Sequence, residues 1–293
     1  MALGSLVAGS KAITSGSLKT LLSENWFEDR LEDPLTADGY VRASAISSLC
    51  GREEILRFKH QVKRKVKFDA STLLIFLHGT SLHWGLQNHA LPAINVIYGL
   101  WKCIMCGHTH GSVESGKPVS DTVVPRPEKC AKCGVPNNAR GEAVFQYVEH
   151  QFVNDEYRIT AHCDGFLVLP GLPGMGVLEA KSAGGKSAWE VKHAPLVGHV
   201  IQVHVYMWLT GFKWGKILYW VKGENGLDAL KEHHVERDES TIAAIKALLT
   251  SIKIGLKDGT VPQRICATSD CPRAEACSVK RLCFKSDTED ISP

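Results

Sequence analysis

No apolar run in this 293-residue sequence reaches the roughly 20 positions of a membrane-spanning helix, so a helix-spanning membrane protein is not the expectation. A strong net charge is missing too. The formal value is +3, which by itself argues neither for nor against a nucleic-acid partner. An acidic metal site set in a basic groove would give such a balance. The opening residues, MALGSLVAGSKAITSG, carry no basic n-region and no proper apolar h-region. They are expected to form a weakly ordered terminus and not a secretory leader, which leaves a cytoplasmic protein as the expectation. With 44% hydrophobic and 22% charged residues, the composition is that of an ordinary globular chain, long enough for one large domain or two small ones.

Cysteine, by contrast, is abundant, with ten residues. Nine keep metal-like company: Cys50; Cys103, Cys106, Cys130 and Cys133; and Cys266, Cys271, Cys277 and Cys283. Cys163 lies in an apolar stretch and is expected in the core. Without a leader, clustered cysteines read as metal ligands before disulfides. Cys103-x2-Cys106-Gly and Cys130-x2-Cys133-Gly are matched knuckles. Each can place two thiolates on one tetrahedral ion, and the following glycine permits the tight turn. The residues between them are polar, include Pro118, Pro125 and Pro127, and show little apolar periodicity. Such a segment cannot fold through a core of its own, so a metal is expected to hold it. Residues 101–134 are therefore predicted to be a zinc-ribbon insertion, Cys103, Cys106, Cys130 and Cys133 binding Zn2+, with His108 and His110 near but surplus. The setting for a thioredoxin-like redox pair is absent. A structural role is the default for the ribbon, with a grip on DNA as the second reading.

The stretch CDGFLVLPGLPGMGVLEAK, Cys163 to Lys181, organises the rest. Tyr157, Ile159, Ala161 and Cys163 alternate as a strand would, and Phe166 to Leu169 continues it. Pro170, Gly171, Pro173, Gly174 and Gly176 force a reversal, and Val177 to Lys181 returns. Glu179 and Lys181, two apart on a strand, share a face, and the hairpin brings Asp164 near them. Two carboxylates and an ammonium together are costly to bury, and a divalent ion such as Mg2+ resolves this. The plainer alternative is a surface ion pair.

Around this hairpin, residues 17 to 30 read as a helix, and Ser44 or Ser47 could cap another that carries Cys50, Leu49, Ile55 and Leu56. Arg57, Lys59, Lys63, Arg64, Lys65 and Lys67 form either a solvated basic face or a phosphate track. Residues 143–153 read as a strand or mixed segment, and a short helix is expected after Lys181. The next helix ends at Gly211, with His199, Gln202 and Tyr206 on one face. Lys216–Lys222 reads as a strand. Residues 240–255 form a helix whose apolar face, Ile242, Ile245, Leu248, Leu249 and Ile252, is expected to cover the sheet. The tail packs Cys266, Cys271, Cys277 and Cys283 together, and soft thiolates there suit zinc or an iron–sulfur cluster.

Six features stand in order: Cys50 in Ser-x-x-Cys-x-Arg; Gly79-x3-His83; Asp164; Glu179-x-Lys181, with fourteen residues separating Asp164 from Glu179; Gln202-x3-Tyr206; and the cysteine tail. Over roughly residues 44 to 285, the ribbon apart, the ordered set resembles the RecB-like branch of the PD-(D/E)XK nucleases. That branch includes CRISPR-associated and phage recombination exonucleases that carry an iron–sulfur cluster. The ribbon departs from the commonest pattern, and the tail spacing differs from the shortest family versions.

The resemblance implies an α/β fold, a restriction-endonuclease-like mixed central sheet flanked by helices. The divisions it suggests are an N-terminal helical part (1–100), the ribbon (101–134), the nuclease core (135–262) and a cysteine-rich clamp (263–293). It implies Mg2+ or Mn2+ held by Asp164, Glu179 and the Ala180 carbonyl, with His83 a further ligand and Gly79 allowing the helix start to approach closely. Lys181 would orient the attacking water or stabilise the transition state. Gln202 would hold Lys181 or a phosphate, and Tyr206 would meet the DNA backbone. Cys50, Cys266, Cys277 and Cys283 would bind a 4Fe–4S cluster, Cys271 being able to replace Cys266; a tail-only second Zn2+ site is the alternative. The implied activity is a metal-dependent DNA exonuclease of phage or prokaryotic recombination, repair or processing, in the host cytoplasm if phage-encoded. Its implied partners are DNA ends, single-stranded or duplex, with no membrane, and a second copy of itself or a recombination protein. A DNA-binding adaptor, or a CRISPR-adaptation-type module with weak or structure-specific endonuclease activity, is the alternative.

Overall fold

The computed structural model describes residues 18–31, 35–36, 38–62, 65–112, 117–138 and 144–285. The opening segment and Lys63 and Arg64 of the basic run lie outside the described residues. In chain order the elements begin with α1 (Leu18–Asn25), β1 (Glu28–Leu31), β2 (Val41–Arg42), α2 (Gly51–Lys59) and β3 (Lys65–Phe68). Then come α3 (Ala70–Gly85), a π turn (Leu86–Ala90), the short α4 (Leu91–Ala93), β4 (Ile97–Cys103), β5 (Thr109–His110), β6 (Val124–Pro125), β7 (Phe145–Val148), β8 (His150–Asn154), β9 (Ile159–Cys163), β10 (Gly165–Leu167) and β11 (Gly176–Ala183). The chain continues through α5 (Lys186–His193), α6 (Val197–Thr210), β12 (Trp214–Val221), β13 (Leu230–Glu236), α7 (Glu239–Asp258), α8 (Pro272–Glu275) and α9 (Lys280–Phe284). No helix among the described residues is long and apolar enough to cross a membrane.

An eight-stranded mixed sheet runs β13-β12-β11-β10-β4-β5, with β6 and β7 also paired to β4. The β10–β11 hairpin lies inside it, antiparallel, with Phe166 opposite Val177, and β11 runs parallel to β12. Residues 177–180 of β11 are buried in unbroken succession, as expected of a strand covered on both faces. Val177 joins the main core with Val203, Val205 and Met207 of α6. Each of these fully buried side chains contributes about 1.5–3 kcal/mol relative to exposure. Ala180, on the other face, meets Leu82 of α3 and Leu86 of the π turn. The two helices α3 and α6 therefore sandwich the strand that carries Glu179 and Lys181.

Helix ends follow local chemistry. Asp238 caps α7, its carboxylate accepting from the N–H groups of Ser240 and Thr241, each at 3.0 Å. Gly211 ends α6 with φ +78°, the left-handed conformation its position in the sequence led one to expect.

Several local expectations need correction. The first helix stops at Asn25, and residues 28–31 form a strand paired antiparallel with β3. Neither Ser44 nor Ser47 caps α2. A 3-10 turn occupies 43–48, and Cys50 itself stands at the N-cap. Arg57 is buried against Glu54 at 2.9 Å and is not part of a solvated basic face. Gly79 lies in mid-helix with open space around its Cα, so no close approach requires it. The stretch 157–169 is not one strand: it breaks at Asp164, where the chain leaves the three-stranded β2-β9-β8 sheet for the large one. Helix α7 packs on α2 and α6, with its apolar face against those helices. Residues 1–100 are not purely helical, because β4 is a strand of the large sheet. The edge strand β13 went unread because its residues, LKEHHVE, alternate weakly and are mostly polar, as sheet edges often are.

Candidate active site

The site forms where two sheets exchange strands. The β8–β9 pairing sets His150 opposite Cys163. The residues just outside that pair, Glu149 and Asp164, must therefore be neighbours. Both flank strands that pair with β4: Val148 with Leu100, and Phe166 with Tyr98. His83 arrives from α3, near its C-terminal end. The ligand atoms of His83, Glu149 and Asp164 all lie within 4.8 Å of one another.

Asp164 is fixed from both sides. Its Oδ2 accepts the backbone N–H of Ala180 at 2.7 Å, tying it to the strand between Glu179 and Lys181. Its Oδ1 lies 3.4 Å from His83 Nδ1, and Glu149 Oε1 is 3.9 Å from the same nitrogen. Glu179 is fully buried, and Lys181 reaches back along the strand to ion-pair with its Oε1. The two side chains thus share a face, as the period of the strand requires.

The electrostatics are those of crowded carboxylates. Burial, and next the negative charge of Asp164, push the Glu179 carboxyl up to about 8 against the pull of Lys181. Burial acts against the charge on His83, but the Asp164 and Glu149 carboxylates outweigh it and raise the imidazole to about 10. Lys181 is likewise disfavoured by burial, and Glu179 and Asp164 more than restore its charge.

This set fits a divalent cation. Glu179 Oε2 is buried with no hydrogen-bond partner among the described residues. The Tyr206 hydroxyl is near, but its proton goes to the His162 carbonyl at 2.6 Å. An unsatisfied buried carboxylate oxygen costs at least about 1–3 kcal/mol. Hard carboxylate oxygens with one imidazole suit Mg2+ or Mn2+.

The α6 residues act differently from expectation. Tyr206 is 1% exposed, so it is not free to meet a DNA backbone. Gln202 donates to the Tyr206 hydroxyl at 2.6 Å and does not hold Lys181. Together they brace β9 through His162, two residues before Asp164. They also floor a cavity of about 510 Å³ whose walls include Tyr40, Arg42, Ser44 and His162. His199 bonds through Nδ1 to the Tyr219 hydroxyl at 2.8 Å, and Tyr219 lies opposite Lys181 on β12. Burial, helped by the Lys181 charge, pushes His199 down to about 4, so it is neutral.

Cys103, Cys106, Cys130 and Cys133 come together, with Sγ–Sγ separations of 3.9 Å (Cys103 to Cys133) and 3.6 Å (Cys106 to Cys130). A tetrahedral Zn–S4 centre with 2.3 Å bonds has edges of about 3.8 Å, so these thiols fit one ion. The two knuckles repeat each other. Gly107 and Gly134, both at φ +72°, donate to the carbonyls of Cys103 and Cys130 at 2.8 and 2.9 Å. The segment does not lack a core altogether: Cys103 and Cys130 pack with Trp101, Val144, Phe145 and Tyr147, apolar residues supplied mostly by the flanking strands.

In the tail, Cys50, Cys266, Cys277 and Cys283 line one small cavity. Cys271 does not line it; its sulfur accepts the Ala274 N–H as the cap of α8. Glu53 of α2 accepts from Ser278 N and Oγ at 3.1 and 2.8 Å, and Arg273 donates to the Ser48 and Leu49 carbonyls, joining the tail to α2.

No family model matches this chain, and no curated protein does. Among solved structures it is similar to an alkaline exonuclease from Laribacter hongkongensis, with 16% identity over 75% of this chain and 89% of that one, at a TM-score of 0.42. The same exonuclease in complex with dAMP gives 14% identity over the same shares, also at 0.42. The protein SSO0001 gives 14% identity over 83% of this chain and 85% of that one, at 0.38. None of these TM-scores reaches 0.5, and the functional reading rests on this chain's own residues.

Reading the sequence missed Glu149 and Tyr219. In YVEHQFV the acid stands at the joint between two strands, a mark that gains meaning only once the β8–β9 register puts it beside Asp164. Tyr219, in KILYWVK, looks like ordinary strand filler; its pairing with Lys181 supplies the signal.

Proposed function

We propose that this chain is a Mg2+- or Mn2+-dependent deoxyribonuclease that hydrolyses phosphodiester bonds from DNA ends. The observation that carries the reading is the convergence of Asp164, Glu149 and His83 within 4.8 Å beside the buried Glu179–Lys181 pair, with a Glu179 oxygen unpartnered. Asp164, Glu179 and Glu149 would hold the ion, with His83 and the Ala180 carbonyl as further ligands. When bound, such an ion acidifies a water and polarises a phosphoryl oxygen. Lys181, partly open to solvent, orients the attacking water and balances charge developing on the phosphate. Asp164 keeps its alignment through the Ala180 N–H. Tyr206 and Gln202 keep β9 in place.

The ribbon thiols suit Zn2+. The four cysteines shared by α2 and the tail suit a 4Fe–4S cluster, which holds its ligand sulfurs further apart than a single ion does. All four line one small cavity between α2 and the tail, the placement the cluster reading requires. Iron and sulfide analysis of anaerobically purified protein tests this, and stoichiometric zinc alone would refute the cluster.

Digestion of single- and double-stranded DNA labelled at either end, with Mn2+, Mg2+ or EDTA, tests the activity. Stepwise loss of end label that needs the metal is expected; no cleavage under any metal condition would remove the enzyme reading.

A further inference from the structure

The turn that follows α3 is unusual. Residues 86–90 form a π turn closed by the Leu91 N–H on the Leu86 carbonyl. Wide turns of this kind are rare and are frequently found at functional sites. Neighbouring α-helical residues point about 100° apart, so two in succession do not normally address one short segment. Here both Gln87 and Asn88 reach residues 147–149, Asn88 to Tyr147 and Gln87 to Glu149. Each is polar and at least nine-tenths buried, at 7% and 5% exposure.

Asn88 grips β7. Its Oδ1 accepts the Tyr147 N–H at 2.7 Å, and its own amide donates to the Trp84 carbonyl at 3.1 Å. Gln87 grips the residue two places further on. Its Nε2 donates to Glu149 Oε1 at 3.1 Å and to the Asp164 backbone carbonyl at 2.8 Å. An amide nitrogen has two hydrogens, and both find an acceptor. The reverse orientation would point the amide oxygen at a carboxylate and a carbonyl, so the partners fix which end faces the site. Arg126, from the segment between the two knuckles, donates to the Asn88 carbonyl at 3.2 Å and supports the turn from outside.

We propose that Gln87 is a positioning residue that sets the metal affinity of this site, by locking the Glu149 carboxylate to the Asp164 backbone. The inference rests on the nuclease reading above. Glu149 follows the end of a strand, and its side chain is 36% exposed. A free glutamate there has several rotamers, and ordering them on metal binding carries an entropic cost. Gln87 is buried and already ordered, so the cost is met on folding. Loss of a supporting hydrogen bond to a metal ligand typically weakens metal binding 10–100-fold.

The test titrates the full chain with Mn2+ alone by calorimetry, in four forms: wild type, Gln87→Met, Glu149→Gln and the double variant. Gln87→Met keeps the volume and loses the donor. It is expected to weaken Mn2+ binding about tenfold or more. Once Glu149 is neutralised, the same change is expected to add little further loss. Unchanged affinity in Gln87→Met, or a loss fully additive with Glu149→Gln, overturns the proposal. The same cycle with Gln87→His, which keeps one N–H donor at shorter reach and should lose less, serves if Gln87→Met does not fold. Failure of the wild-type protein to bind Mn2+ is a separate outcome; it overturns the nuclease reading and this inference with it.

Discussion

The ribbon and the carboxylate site gather side chains suited to metals in opposite ways. The ribbon is local: two knuckles of four residues, each closed by its own glycine and its own backbone hydrogen bonds, supply all four thiols. The carboxylate site is non-local. His83, Glu149, Asp164 and the Glu179–Lys181 strand come from four segments and meet because two sheets trade strands at Glu149 and Asp164. The two knuckles close their own backbone hydrogen bonds. The carboxylate site crowds three carboxyl groups together and leaves a buried oxygen unpartnered among the described residues. One arrangement is suited to holding a fold together, the other to chemistry on a charged substrate.

The largest expected effect is at Lys181. Lys181→Ala should reduce DNA cleavage by about 10²–10³-fold while DNA binding, measured in Ca2+, stays largely intact. Normal turnover would count against the assignment. The ribbon should behave in the reverse way. Cys103→Ser with Cys133→Ser removes half of the thiol set, and loss of a structural ion should lower the melting temperature by roughly 10 °C. An unchanged melting curve would mean that the apolar cluster around Trp101 and Phe145 suffices without a metal.

That contrast also governs what the sequence makes legible. The clustering of the four thiols could be read from spacing alone, because Cys103, Cys106, Cys130 and Cys133 lie within one short segment. Asp164, Glu179 and Lys181 could be read because a hairpin joins them. His83 came through resemblance. Glu149 was invisible because nothing local distinguishes an acid between two strands; its neighbour is fixed by a register that sequence periodicity does not encode. Tyr206 and Gln202 lie on the expected helix and face, but a helical face does not reveal depth. Tyr206 is buried in the main core, and its hydroxyl serves the His162 carbonyl.

Smaller changes sharpen the distinction between site and scaffold. Tyr206→Phe removes the proton given to His162 and should cost about 1 kcal/mol of stability, with less than about a tenfold change in cleavage. A loss as deep as that of Lys181→Ala would return Tyr206 to the chemistry itself. The smallest effect is expected at Asp238, whose carboxyl is held below its ordinary value of 3.8 by hydrogen bonds from Thr241 and Ser240. A depressed pKa means that the cap stabilises the fold above the unfolded value and stops doing so as pH falls through the folded one. Asp238→Ala should therefore melt slightly earlier at neutral pH, converge with wild type in strong acid, and cleave DNA normally. A difference that persists in acid would point to some cause other than the cap.

The central claim is that carboxylates at the exchange point between the two sheets jointly hold a catalytic cation. Crystals grown with Mn2+ and measured at the manganese absorption edge test it most directly. An anomalous peak among the Asp164, Glu179 and Glu149 carboxylates is the expected result. A map with no ion there, and Glu179 bonded to Lys181 alone, would contradict it.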